Sequence, residues 1–192
     1  MIIKNGIPAE HRAQATALYW DAFGAKLNVT MGPKEKAQAF IGNVLDPSHG
    51  ICALDDDGAL LGVVGFKTNK SALVDGSFAD LRNVYGIFGA TWRAAFLNLL
   101  ERDTEDARFL MDGIFVAPYA RGRGVGTALL NAIIIEAKAR GYAQVRLDVI
   151  DSNLRARALY EREGFKAIKT QSLGPLRYIF GFRASTTMVR AV

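Results

Sequence analysis

Residues Arg121-Gly122-Arg123-Gly124-Val125-Gly126-Thr127 put three glycines and two arginines directly ahead of an apolar run. Glycine lets a backbone come close to a ligand. If the apolar run is a helix, its first N–H groups have no partner inside it, and its dipole favours an anion at that end. The segment therefore reads as a cradle for a phosphate group, or else as a glycine-rich turn that serves only the fold. It fits neither common nucleotide template. A dinucleotide fingerprint read from Gly122 needs glycine where Thr127 stands, and the Gly-Lys-Ser/Thr of a P-loop occurs nowhere.

The charge distribution points the same way. Residues 1–120 carry 11 Lys and Arg against 14 Asp and Glu, a balance of −3, whereas residues 121–192 carry 13 against 5, a balance of +8. The net charge of +5 thus comes from the part that holds the glycine loop, which suggests an anionic ligand there. The basic residues are spread rather than run together and no nucleic-acid motif accompanies them, so no nucleic-acid partner is expected.

The elements that would position the loop alternate. Phe109 to Val116 reads as a strand, Gly124 to Arg140 as a helix, Ala143 to Ile150 as a strand and Asn153 to Glu163 as a helix. Phe165 to Thr170 and Ser185 to Arg190 come next as strands. Strand, helix, strand over 109–150 makes a right-handed crossover with a parallel pair. Upstream, Met1 to Lys4 reads as a first strand, and Pro8 and Pro33 open helices. Gly50 to Leu54 and Ala59 to Phe66 form a hairpin about Asp55-Asp56-Asp57-Gly58. Phe78, Leu81, Tyr85, Phe88, Trp92, Phe96 and Leu99 step at helical spacing, with Gly86 and Gly89 inside the stripe and Ser77 as a cap. The fold class expected is α/β (α+β): a mixed, mostly antiparallel central sheet flanked by helices. It is read as a single domain over 1–192 with a helical insertion at about 68–107.

Four side chains join the loop as candidates. Asn153 and Tyr160 are seven residues apart and fall on one helix face. Asn153 also suits a helix N-cap, and Tyr160 suits a core aromatic with a polar tip. Asp148 faces opposite to Leu147 and Val149 on its strand. Asp112 lies four residues before Val116, hence on the same strand face. Either acid can equally be a paired or solvent-facing group.

The pattern Val116-x-Pro118-x-x-Arg121-x-x-Gly124-x-Gly126, with Leu147-Asp148-Val149, Asn153, Ala158-Leu159-Tyr160-Glu161 and Gly164-Phe165 behind it, resembles the GNAT superfamily of acyl-CoA-dependent N-acetyltransferases over about residues 109–168. The resemblance implies the GNAT fold, with the parallel strand pair splayed. It implies that Arg121, Gly122, Arg123, Gly124, Val125, Gly126 and Thr127 hold the pyrophosphate of coenzyme A, and that Phe115 and Val116 bond pantetheine through the main chain. It places Asn153 on pantetheine and Tyr160 where the departing thiolate is protonated; a phenol with a pKa near 10 can serve as that acid. Asp148 is the general base it favours for the acceptor amine, and Asp112 or a water relay the alternatives.

The activity the resemblance implies is that of an N-acetyltransferase, moving acetyl from acetyl-CoA, its co-substrate, to the primary amine of a small molecule. A protein N-terminal amine as acceptor, or a non-catalytic acyl-CoA sensor, are the rival readings. The apolar stretch Leu173 to Phe182 and the 78–100 helix are expected to wall an acceptor pocket or to form a homodimer contact. With Cys52 the only cysteine, and His11 and His49 far apart, no disulfide framework and no metal are expected. No apolar run is long enough for a membrane span and no secretory leader is evident, so the expected location is cytoplasmic.

Overall fold

Asp55 turns the chain on itself: its carboxylate accepts from the N–H of Asp57 at 3.1 Å and of Ala59 at 2.7 Å. Gly58 takes a positive φ of 85° that other residues resist. β2 (Gly50–Leu54) and β3 (Leu60–Lys67) are thereby closed into the expected hairpin. β1 (Ile2–Asn5) pairs with β2, and β4 (Phe109–Val116) pairs with β3, all antiparallel. The computed structural model describes residues 1–100 and 108–192; the last seven residues of the 68–107 insertion and the side chains of Lys26, Leu99 and Leu100 lie outside it.

β5 (Gln144–Ile150) buries Val145, Leu147 and Val149 on one face, the two-residue alternation of a strand with one covered side. It runs parallel to β4, and they pair only at Phe109 with Val145 and Leu110 with Arg146. Beyond those pairs the two strands part. β7 (Ala184–Ala191) lies antiparallel along the other side of β5, and β6 (Lys166–Ser172) forms the edge, giving the order β1-β2-β3-β4-β5-β7-β6. This is a mixed α/β fold whose seven-stranded sheet is antiparallel except at the splayed pair.

α4 (Val125–Ala139) crosses from β4 to β5 and packs Leu129, Leu130, Ile133 and Ala137 into the main core. α5 (Leu154–Arg162) comes after β5. α1 (Arg12–Met31) and α2 (Lys34–Val44) meet α3 (Phe78–Leu100) in a second core built on Trp20, Met31, Phe40, Ile41 and Leu81. Ser77 and Asp80 cap α3 reciprocally: the Asp80 carboxylate accepts from Ser77 N–H at 2.8 Å, and Ser77 Oγ from Asp80 N–H at 3.3 Å.

The stripe expected along α3 breaks at one of the two glycines whose place inside it suggests a kink or a close backbone contact. Gly86 stands at φ 71°, ψ 172°, outside helical space, so two helices meet there at a kink. Their phases differ: Leu81 is buried before the kink, whereas Phe88 after it is 90% exposed. The apolar stretch 173–182 contains a short helix α6 (Arg177–Phe180), and it packs as its composition suggests, with Phe180 and Phe182 buried and Phe180 edge-on to Phe96 of α3 at 6.5 Å.

Candidate functional site

The glycine segment lies between a short turn at Pro118–Ala120 and α4. Gly122 and Gly124 have φ of 80° and 79°, and a Cβ at either would meet nothing within 4 Å. These glycines serve a left-handed turn with open space above it. Gly124 is the N-cap of α4 and no side chain caps the helix. Its first helical bond runs from Ala128 N to Gly124 O at 3.0 Å, so the N–H groups of Val125, Gly126 and Thr127 have no partner within the helix. Gly126 differs from the other two: a Cβ there would sit 3.1 Å from Leu159 Cδ2, so this glycine also lets α4 approach α5.

A cavity of about 780 Å³ opens on this helix end. Its walls are Ile114, Phe115 and Val116 of β4, the start of α4, the α5 face with Asn153, Arg155, Leu159 and Arg162, and Leu18, Asp21 and Ala22 of α1. Three arginines (Arg121, Arg155, Arg162) face it against one aspartate, Asp21. Sequence reasoning missed Arg155 and Arg162. Their seven-residue spacing, which puts both on one face of α5, is the signal that could have found them.

Of the residues expected to hold the coenzyme, Phe115, Val116, Arg121, Gly122, Gly124, Val125, Gly126, Thr127 and Asn153 line this cavity, and Arg123 does not. Asn153 lines it while capping α5, its Oδ1 accepting from Ala156 N–H at 3.1 Å. The Thr127 hydroxyl donates to Glu163 at 2.8 Å and so ties α4 to the end of α5. Tyr160 does not line the cavity. Its ring is buried against Phe165, 6.0 Å between centroids, and burial pushes its hydroxyl up to about 12.

The two acids are separated. Asp148 Oδ1 accepts from the Thr187 hydroxyl at 2.5 Å, and Arg146 Nη2 lies 3.5 Å from Oδ2; the side chain is 6% exposed. Between Gly113, opposite Gly65, and Met111, opposite Phe66, the β3–β4 register slips by one residue, leaving Asp112 as the extra residue of a bulge. The bulge interrupts the alternation that a four-residue spacing to Val116 assumes. Val116 lines the first cavity, and Asp112 lines a second cavity, of about 340 Å³, among α1, α2, Leu97 and Asn98 of α3, and Phe182. Cys52 is fully buried in β2, and burial pushes its thiol up, which leaves it no access to a substrate. Among the described residues no group of His, Cys, Asp or Glu is placed to hold a metal ion. No helix is long and apolar enough to cross a membrane among those residues.

The family model described as "Acetyltransferase (GNAT) family" matches residues 12–165, more than half of the chain. The chain belongs to the GNAT family. The matched span runs from α1 to the end of α5 and includes the glycine loop and the splayed strands. A mycothiol acetyltransferase of Beutenbergia cavernae is 47% identical over 53 residues, 28% of this chain and 18% of that protein. A thialysine N-epsilon-acetyltransferase of Mus musculus is 36% identical over 70 residues, 36% of this chain and 41% of that protein. The matches thus span less than half the length of these curated relatives. The crystal structure of an N-acetyltransferase from Staphylococcus aureus Mu50 superposes with a TM-score of 0.67 at 15% identity, covering 99% of this chain and 100% of that one, and so shares the GNAT fold.

Proposed function

We propose that this GNAT protein transfers acetyl from acetyl-CoA to the primary amine of a small molecule. The observation that carries the proposal is the first cavity: uncapped N–H groups of α4, a left-handed glycine turn and three arginines line it beside the end of β4 that β5 leaves unpaired. The donor set fits coenzyme A. Main-chain N–H groups and a helix dipole suit a pyrophosphate, the arginines suit its charge, and the unpaired edge of β4 at Phe115 and Val116 offers main-chain groups to an amide-bearing arm.

The transfer needs no covalent enzyme intermediate. The neutral amine nitrogen attacks the thioester carbonyl carbon, a C–N bond forms, the C–S bond breaks, and acetamide and free thiol result. One proton leaves the nitrogen and one reaches the sulfur. Asp112 is favoured as the acceptor of the first by its place on the wall of the second cavity, and a water can relay it; Asp148 is the less accessible alternative, engaged by Thr187 and Arg146. Tyr160 lines neither cavity, and at about 12 it is a weaker acid than an alkyl thiol near 8.5, so both its place and its acidity disfavour it as the proton donor to the thiolate, which water can protonate instead. The first test is thiol release from acetyl-CoA with a panel of primary amines, beside calorimetry of coenzyme A binding. Binding without thiol release for any amine would leave the sensor reading in its place.

A further inference from the structure

Among the described residues the two cavities are lined by opposite charge. The first sets Arg121, Arg155 and Arg162 against Asp21; the second sets Asp75 and Asp112 against Lys67. Among the described residues the other side chains of the second cavity are apolar, apart from Asn98 and the Tyr19 hydroxyl, and four aromatic rings line it: Tyr19, Phe23, Phe40 and Phe182. An amine is a cation in neutral water and an acid-lined pocket attracts it. A peptide would bring two main-chain polar groups per residue, more than Asn98, the Tyr19 hydroxyl and the charged side chains can pair.

The cavities meet at an aromatic wall. Phe115 lines the first, Tyr19 and Phe23 line the second, and the Phe115 ring stands edge-on to both, at 5.8 Å from Tyr19 and 6.2 Å from Phe23. Phe23 occupies its place because residue 113 is glycine: a Cβ there would lie 2.6 Å from Phe23 Cζ.

On the reading of the first cavity as the coenzyme site, we propose that the second cavity is the acceptor site, that it takes a primary amine on an apolar, ring-bearing body, and that Phe23 sets how large an amine passes from it to the thioester. Phe23 is a specificity-determining residue that acts by steric control, and the amine cation is held by the charge of Asp75 and Asp112 until it loses its proton.

The test is a panel of n-alkylamines, phenylalkylamines, a hydroxylated diamine and a short peptide, read as thiol release from acetyl-CoA. Each added CH₂ should raise kcat/KM about fourfold until the pocket is full, and phenylalkylamines should exceed the diamine and the peptide. Leu97→Trp and, independently, Val74→Phe fill the cavity from α3 and from the 72–76 segment; each should raise KM for phenylalkylamines at least about tenfold and leave coenzyme A affinity, read by calorimetry, in place. Phe23→Ala should shift preference toward bulkier amines, and Gly113→Ala, which presses on the same ring, toward smaller ones. Equal use of the diamine or peptide, or cavity-filling variants with unchanged KM in a folded protein, would overturn the acceptor assignment while the transferase stands. Thiol release with no amine at all, despite coenzyme binding, would overturn the transferase reading and this inference with it.

Discussion

The two cavities are built from different materials. The first owes its anion-binding end to main chain, a left-handed glycine turn, the N–H groups of α4 and the bare edge of β4, with arginine side chains around it. The second is side chains, contributed by α1, α2, α3, the bulge in β4 and Phe182. A main-chain site tolerates exchange of its side chains but not of its backbone conformation. A side-chain site has the opposite tolerance. That asymmetry is what a family with one donor and many acceptors requires, and it ranks the substitutions by expected effect.

The largest effect should fall at Asp112, the one carboxylate among the described residues placed both on the second cavity and beside the strand gap. Asp112→Asn should lower kcat by about 10²- to 10⁴-fold while coenzyme A affinity holds. Asp148→Asn, which disturbs a buried acceptor of Thr187 next to Arg146, should instead show first as a lower melting temperature. Thermal melts beside initial rates separate the two. A folded Asp112→Asn enzyme with near wild-type kcat, and a collapse of kcat in Asp148→Asn, would reverse the roles.

Next comes the backbone of the first cavity. Gly124→Ala forces a side chain into φ 79° at a cost of about 1–2 kcal/mol, and re-aims the first N–H groups of α4. Coenzyme A affinity should fall at least about tenfold. Gly126→Ala keeps helical dihedrals but presses on Leu159, so its effect should appear mainly in stability. Calorimetry on both variants decides it. Equal affinity in wild type and Gly124→Ala would mean that the turn serves only the fold.

The 72–76 segment that walls the second cavity is held by a polar clamp behind it. Asp46 accepts from Ser48, whose hydroxyl stands at 2.6 Å, from Ser71 at 3.0 Å, and meets His49 Nδ1 at 2.7 Å. These bonds hold the turn that supplies Ala72 and Val74 to the cavity wall. Burial alone would raise the Asp46 carboxyl, but the hydrogen bonds of Ser48, Ser71 and His49 outweigh it and hold it at about 2. An unfolded Asp titrates near 3.9. Stability from this group is therefore full above about pH 4 and lost as pH falls through about 2, because the unfolded chain then binds a proton that the fold resists. Allowing for solvent screening it is worth about 1–2 kcal/mol. Urea melts of wild type and Asp46→Asn should differ at pH 5 and converge near pH 2; a gap that persists at pH 2 would refute the clamp.

The main-chain site was legible in the sequence because it is local. One run of seven residues fixes the turn and the helix start, and the strand and helix behind it keep their periods. The second cavity was legible only as the expectation that the 78–100 helix and the 173–182 stretch wall an acceptor pocket or form a homodimer contact; Leu97, Asn98 and Phe182 do line it. Its walls come from segments far apart in the chain, and a spacing rule sees none of that. The bulge at Asp112 is a property of pairing with β3, which a single strand does not reveal, so the expectation of one face shared with Val116 had no means of correction. Tyr160 and Asp148 keep the spacing that suggested them, but their surroundings, Phe165 for one and Thr187 with Arg146 for the other, depend on tertiary packing.

The smallest effect tests where the side-chain region ends. Regular helical phase from Leu81 would carry Phe88 into the core, and there its loss would cost about 3–5 kcal/mol. The break at Gly86 turns it to solvent instead, 90% exposed. Phe88→Ser should therefore change stability by no more than about 0.5 kcal/mol and leave acceptor KM unchanged, since Phe88 lines neither cavity. Replacing Gly86 by Ala sharpens the point. Its φ of 71° is strained for any side chain although no atom stands within 4 Å of the added Cβ, so the cost is conformational and not steric. That strain favours straightening α3, which would drive Phe88 toward the second core and displace Leu97 from the cavity wall. Phe88→Ser placed on Gly86→Ala should then cost more than on wild type, a coupling that a double-mutant cycle reads directly. A cycle that closes with no coupling would show that the phase after residue 86 is set by the contacts of Leu97 and Phe96, independently of the glycine.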